Sequence, residues 1–256
     1  MSHTTVLQLI AFAAAVIAGA INTVAGGGTL LTFPVLLWIG LPSVIANATS
    51  TVGILAASFG GIVGFRREME GLTGRSYMLI VPSVAGGILG AVLLRLTPTQ
   101  LFDRLVPVLI LFATFLFMLQ DPVQRLIRRT GISHADSRGW LIGTLVFQFV
   151  VAMYGGYFGA GMGILMLAAM GILGYTDIHQ MNGLKNLLAL AINGVAAVYF
   201  VVMGMVQWPW ALVMAAGAIA GGYGGTGVAR RIGAKGVRRI VVIVGFSIAL
   251  SLIFRR

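Results

Sequence analysis

The chain has 256 residues, 59% of them hydrophobic and only 9% charged, with a formal net charge of +11. An average soluble domain is about 25% charged, so a soluble fold is excluded. The basic residues sit in short clusters between apolar segments, which reads as membrane topology signal and not as a nucleic-acid surface. The absence of cysteine removes disulfides, thiolate metal sites and cysteine nucleophiles.

No Lys, Arg, Asp or Glu precedes Arg66, and residues 139–176 and 186–229 are again free of charge. The first stretch alone has room for about three crossings at ~20 residues each. Ala18-x-Ala20 imitates a signal-peptidase site, but no Lys or Arg precedes it and the apolar sequence simply continues, so an uncleaved first segment is expected. Apolar runs predict segments at 6–22, 29–41, 44–65, 77–95 and 104–120, then 139–157, 161–174, 178–203, 208–229 and 239–254. Segments 29–41 and 161–174 are too short to cross a core of about 30 Å as straight helices, and are expected to be half-helices, tilted or re-entrant. Trp38, Trp140, Trp208 and Trp210 lie near segment ends, where an indole prefers the headgroup level.

Sliding the chain against itself so that Asn47 falls on Asn182 brings several unlike features into register at once. Ala85-Gly86-Gly87 and Gly90 then fall on Ala220-Gly221-Gly222 and Gly225, Arg95 on Arg230, Arg104 on Arg239, and Gly26 and Gly28 on Gly161 and Gly163. The expected fold is therefore an all-α polytopic membrane protein of two homologous halves, five hydrophobic segments each. Residues 1–120 form the first repeat, 121–138 a polar cytoplasmic loop, and 139–256 the second repeat. An odd number of crossings per half inverts one repeat relative to the other. With ten crossings and both termini outside, 12 Lys or Arg residues lie inside and 4 outside; with eight crossings the split is 9 to 7. The positive-inside rule favours the ten-crossing inverted repeat.

Inverted-repeat transporters place their site near the midplane, where broken helices present free backbone N–H groups. Ala25-Gly26-Gly27-Gly28-Thr29 makes such a break before the first short segment, and Gly159-Ala160-Gly161-Met162-Gly163 before the second. Two readings stand side by side. The glycines form a cradle for an anion at a helix start, or they serve close helix packing. The segment after each break carries a polar face. Asn182, Lys185, Asn186 and Asn193 fall within an arc of about 100° on a helical wheel, and the repeat places Asn47, Ser50, Thr51 and Ser58 at the same spacing.

Lys185 is the only charged residue inside an apolar segment. Its insertion costs about 2.5–3.5 kcal/mol. It reads either as the counter-charge for an anionic substrate, flanked by the Asn182 and Asn186 amides, or as a side chain snorkelling to the interface. The six acidic residues fall in loops or at segment ends, and His3, His134 and His179 form no cluster, so neither a metal site nor a cofactor is expected. The serine–histidine or paired-aspartate centre of an intramembrane protease is lacking, so an enzyme is not expected.

Ala25-Gly26-Gly27-Gly28-Thr29-Leu30-Leu31 with Pro34, followed by Gly40-Leu41-Pro42 and Asn47-Ala48-Thr49-Ser50, resembles the first-half signature of the TauE/SafE family of sulfite exporters and toluenesulfonate uptake permeases. The likeness covers nearly the whole chain. It implies a multi-pass protein of the bacterial inner membrane that moves small sulfur-containing anions such as sulfite or organosulfonates. Gly26, Gly27, Gly28, Asn47, Thr49 and Ser50 are the residues it assigns to the site. The second half departs from the glycine triplet, carrying Gly159-Ala160-Gly161 and Asn182-Gly183-Leu184-Lys185-Asn186. The family is commonly described with about eight spans, against the ten favoured by charge. The expected partners are a small anionic substrate and the lipid bilayer, with no nucleic acid; the oligomeric state is open, a homodimer being one option. A carrier is the leading reading. An anion channel, or a transporter for another small organic anion, is the alternative, and a scaffold without transport is a third.

Overall fold

The computed structural model describes residues 3–25, 27–64, 74–129, 138–172, 175, 177–222 and, of the last segment, 242–243, 245–247 and 249–250. Among them, every regular element is helical. The helices are α1 His3–Ala25, α2 Thr29–Ile39, α3 Ser43–Gly64, α4 Gly74–Met78, α5 Ile80–Leu96, α6 Thr99–Arg129, α7 Arg138–Tyr157, α8 Met162–Ile172 and α9 Ile178–Val202. A tenth, α10, runs Trp208–Gly222, and helical residues recur from 242 to 250. Four stretches are long and apolar enough to cross a bilayer: His3–Asn22, Ser76–Leu96, Thr99–Leu119 and Gln180–Val202. The chain is thus an all-α polytopic membrane protein.

The two short segments are short helices. α2 and α8 have 11 residues each, about 16 Å of rise and roughly half of a hydrocarbon core. α2 is stopped by Gly40, whose φ of 101° is open to glycine at little cost. Its N–H donates to the Leu37 carbonyl at 3.0 Å and the Leu41 N–H to that of Leu36 at 3.1 Å, closing the helix before Pro42. Gly40-Leu41-Pro42 is therefore a helix stop. The Pro42 carbonyl accepts the first bond of α3, from Ala46 N–H, and the Asp177 carbonyl accepts the matching bond of α9 from Met181 N–H. Pro42 and Asp177 fall on each other in the same register that pairs Asn47 with Asn182.

The Ala-Gly-Gly motif explains how the long helices meet. A Cβ at Gly86 or Gly90 of α5 would overlap the backbone of α7 at Phe149 and Met153 respectively, so these glycines let two helices approach backbone to backbone. Gly221 of α10, which the repeat aligns with Gly86, lies in the same way against the Val16 backbone of α1. α9 packs on both α3 and α5.

One boundary differs from the sequence reading. α6 continues through residues 121–129 to Arg129, so the first part of the polar linker is helical and not a loop. Gln, Leu and Arg there are good helix formers, and arginines at a helix C-terminus complement its dipole.

Candidate functional site

Both breaks lie against the same stretch of α6. A Cβ at Gly27 would run into the Phe117 ring, while a Cβ at Gly161 would sit 3.4 Å from the Ala113 carbonyl oxygen and 3.5 Å from Leu116 Cδ1. Ala113 and Phe117 are one helical turn apart, about 6 Å along the axis, so the two breaks face one short surface. Gly26 lies outside the described residues.

The breaks are built differently. At the first, Gly27 and Gly28 are needed for close contact: a Cβ at Gly28 would be 2.7 Å from both the Ala18 carbonyl oxygen and Ile54 Cδ1. Here the packing role of the glycines is evident. The Gly27 and Gly28 carbonyls accept the first bonds of α2 from Leu30 and Leu31. Thr29, the first residue of α2, is buried. At the second, Gly159 and Gly161 have φ of 79° and 78°, a left-handed backbone that L side chains adopt only at a cost. Gly163 is buried inside α8. Tyr154 OH donates to the Ala160 carbonyl at 2.6 Å and pins the turn.

The polar faces of α3 and α9 are buried. Asn47 Nδ2 donates to the Tyr157 carbonyl at 2.9 Å, at the end of α7, and Asn47 Oδ1 is buried without a hydrogen-bond partner. Ser50 bonds Thr32 Oγ1 of α2 at 2.6 Å, and Thr51 Oγ1 donates back to the Asn47 carbonyl at 2.9 Å. Thr49 is turned toward the α9–α10 connection, where its hydroxyl accepts from Gln207 N–H at 3.1 Å. On α9, Lys185 is 1% exposed and donates from Nζ to Asn182 Oδ1 at 3.0 Å. Asn186 Nδ2 is buried with no partner. Asn193 Oδ1 lies 3.8 Å from the position a Gly159 Cβ would take. Asn47 and Asn193, from opposite halves of the sequence, thus both meet the second break.

Lys185 is the only charged residue among the described buried side chains. Its burial is nearly total, so the ammonium does not reach the surface by snorkelling. No group of three His, Cys, Asp or Glu that could hold a metal occurs among the described residues.

Sequence reasoning passed over Thr32, Phe117 and the Tyr157 carbonyl. Thr32 offers a signal, as a hydroxyl inside a short apolar segment with Thr29 one turn before it. Phe117 offers none, being one phenylalanine among 14. Also missed was the pair Gln148–Ser83, buried between α5 and α7 with Gln148 Nε2 donating to Ser83 Oγ at 2.8 Å.

Comparison with known proteins agrees with this architecture. The chain is 27% identical over 255 residues to a probable membrane transporter protein of Haemophilus influenzae, covering 97% of this chain and 95% of that one. It is 26% identical to the probable membrane transporter protein ORF9 of a Sinorhizobium species, over 94% of this chain and 90% of the relative. The probable membrane transporter protein YfcA of Escherichia coli K12 is also 26% identical, over 95% and 88% respectively. No solved structure matches. The model of the sulfite exporter TauE/SafE family matches residues 11–252, and the chain belongs to that family of membrane transporters.

Proposed function

We infer that the protein is a carrier for a small sulfur-containing anion, sulfite or an organosulfonate, in a bacterial inner membrane. The observation that carries this reading is the donor pair on α9: a fully buried Lys185 ammonium next to Asn186, whose Nδ2 is buried and has no partner. A cation in an apolar interior is costly, and an oxyanion compensates it. Sulfite and sulfonate oxygens accept several hydrogen bonds at once, which matches an ammonium that already donates to Asn182 beside an amide nitrogen whose two N–H donors are both unused. Family membership supports the sulfur chemistry, since the family description names a sulfite exporter. The 12 to 4 split of Lys and Arg supports an inverted arrangement of the halves with both termini periplasmic.

Purified protein in liposomes should take up sulfite or a short sulfonate in preference to carboxylates and cations. Uptake should saturate and show counterflow, which a channel does not. Uptake of a carboxylate with sulfite and sulfonates rejected would overturn the substrate assignment, and flux without saturation or counterflow would make it a channel.

A further inference from the structure

Asn47 poses a hydrogen-bonding problem that its protein neighbours leave open. The amide can be oriented without ambiguity, because the group 2.9 Å from the Tyr157 carbonyl has to be the Nδ2 donor. Oδ1 can then only accept. It is buried, in a side chain with no exposure, and has no hydrogen-bond partner. A carbonyl oxygen in that state selects for something that brings it a donor or a positive charge.

The matching acceptor in the second half is filled. Asn182 aligns with Asn47 and Lys185 with Ser50, and Lys185 Nζ donates to Asn182 Oδ1 at 3.0 Å. The second half therefore supplies its own tethered cation to this oxygen. In the first half the aligned residue is Ser50, whose hydroxyl is engaged with Thr32, and no side chain among the described residues performs the same service for Asn47 Oδ1.

The surroundings of Asn47 suit a cation. It bonds the last residue of α7, and the C-terminal carbonyls of a helix carry a partial negative charge of about half a unit. A Cβ at Gly159 would lie 2.9 Å from the Gly155 carbonyl oxygen and 3.8 Å from Asn193 Oδ1, so two more oxygens line the same turn. These ligands are neutral amide and carbonyl oxygens, the set that replaces the hydration shell of an alkali ion. Lys185 is eight residues from Asn193 along α9, about 12 Å, which limits repulsion between the ammonium and a second cation.

The geometry points to a binding site for a monovalent alkali cation, sodium or potassium, at the break between α7 and α8, with Asn47 Oδ1 as its open ligand. The inference deepens the transporter reading and rests on it: the cation is the coupling ion, bound at one break while the anion is held by Lys185 and Asn186.

The test uses the full-length protein without anionic substrate, titrated with NaCl, KCl or choline chloride at constant ionic strength. Thermal unfolding and radiolabelled sodium binding are the readouts. NaCl or KCl, and not choline chloride, should raise the unfolding midpoint saturably. Asn47→Asp places a carboxylate at the acceptor and should tighten cation binding by about tenfold or more, as a charge added at contact distance requires; Asn193→Asp should act in the same direction. Equal effects of the three salts, or aspartate variants that bind sodium and potassium no more tightly than the parent, overturn the site. A purely structural Asn47 predicts loss of stability in Asn47→Asp with no gain in affinity. Anion uptake into liposomes is measured in parallel. Uptake that proceeds equally in sodium, potassium and choline refutes the cation site and leaves the carrier standing, whereas saturable cation binding with no uptake of any anion refutes the carrier.

Discussion

Lys185→Gln isolates the charge on which the proposed anion site rests. Glutamine keeps an amide donor on a flexible stem but removes the positive charge that the structure buries to 1% exposure. If the bound anion is the partner of that ammonium, the variant loses one charge-assisted hydrogen bond, about 1.5–3 kcal/mol. At about 1.4 kcal/mol per decade the affinity falls roughly 10-fold to 100-fold. Lys185→Arg should recover part of this, since a planar guanidinium keeps the charge but presents its donors in a different geometry. Lys185→Met adds a control on stability. Removing a buried charge relieves its desolvation, so in anion-free detergent the unfolding midpoint should hold or rise even though binding is lost, with the loss of the Lys185–Asn182 hydrogen bond opposing. Calorimetric titration with sulfite and short sulfonates, together with uptake by liposomes, gives both quantities. Unchanged affinity and flux in Lys185→Gln would refute the reasoning and leave the anion to helix termini and amides alone.

Cysteines placed at 66–76 and 230–238 should react only from the cytoplasmic side and those at the termini only from the periplasm; a C-terminus labelled from the cytoplasm would end the ten-crossing arrangement. Gly27→Ala should reduce the yield of folded protein because its methyl would overlap the Phe117 ring, and Phe117→Ala in the same chain should restore it. Gly161→Ala meets only ordinary contacts, at 3.4 Å and beyond, so its cost should be the left-handed backbone alone, about 1–2 kcal/mol, read as a lower unfolding midpoint with no rescue by trimming neighbours. Gly90→Val should abolish accumulation by forcing α5 from α7, and normal yield would show that those helices tolerate a wider separation.

The helices are legible in the sequence because a bilayer writes long signals. Apolar runs between glycine, proline and charged breaks locate nearly every described helix, and the shortness of two runs anticipates the 11-residue α2 and α8. The polar faces of α3 and α9 are legible from wheel position alone, since an asparagine or lysine in an apolar run has few options. What each residue does there is not legible. Thr49 looks like its neighbours Asn47 and Ser50 in the sequence, yet it serves the α9–α10 connection through Gln207, a contact spanning 158 positions of the chain. The glycines illustrate the same limit. Gly27 and Gly161 read alike as breakers, but one is required by a ring from α6 and the other by its own φ, and neither cause leaves a local mark. The linker reads as a loop because charge density alone does not tell a polar helix from one.

The contacts that cross between the two sequence halves bear on how a carrier could open. Gly86 and Gly90 press α5 onto the backbone of α7, and Gly221 presses α10 onto that of α1. Backbones in such close contact do not part cheaply, so a moving unit has to combine helices of both halves: α5 with α7, and α1 with α10. The Gln207–Thr49 bond ties α3 to the start of α10 and so belongs to the α1 unit. The Asn47–Tyr157 bond, in contrast, runs from α3 to the end of α7 and joins one unit to the other. Alternating access by rocking has to break it. One hydrogen bond contributes about 1 kcal/mol net, which by itself holds a second conformer near roughly 15% of the population. A bound anion can invert a gap of that size, because a single charge-assisted bond made in only one conformer is worth about 1.5–3 kcal/mol. Glycine contacts thus make each unit rigid, while switching has to part the Asn47–Tyr157 bond together with the packing of α9 on α3 or on α5.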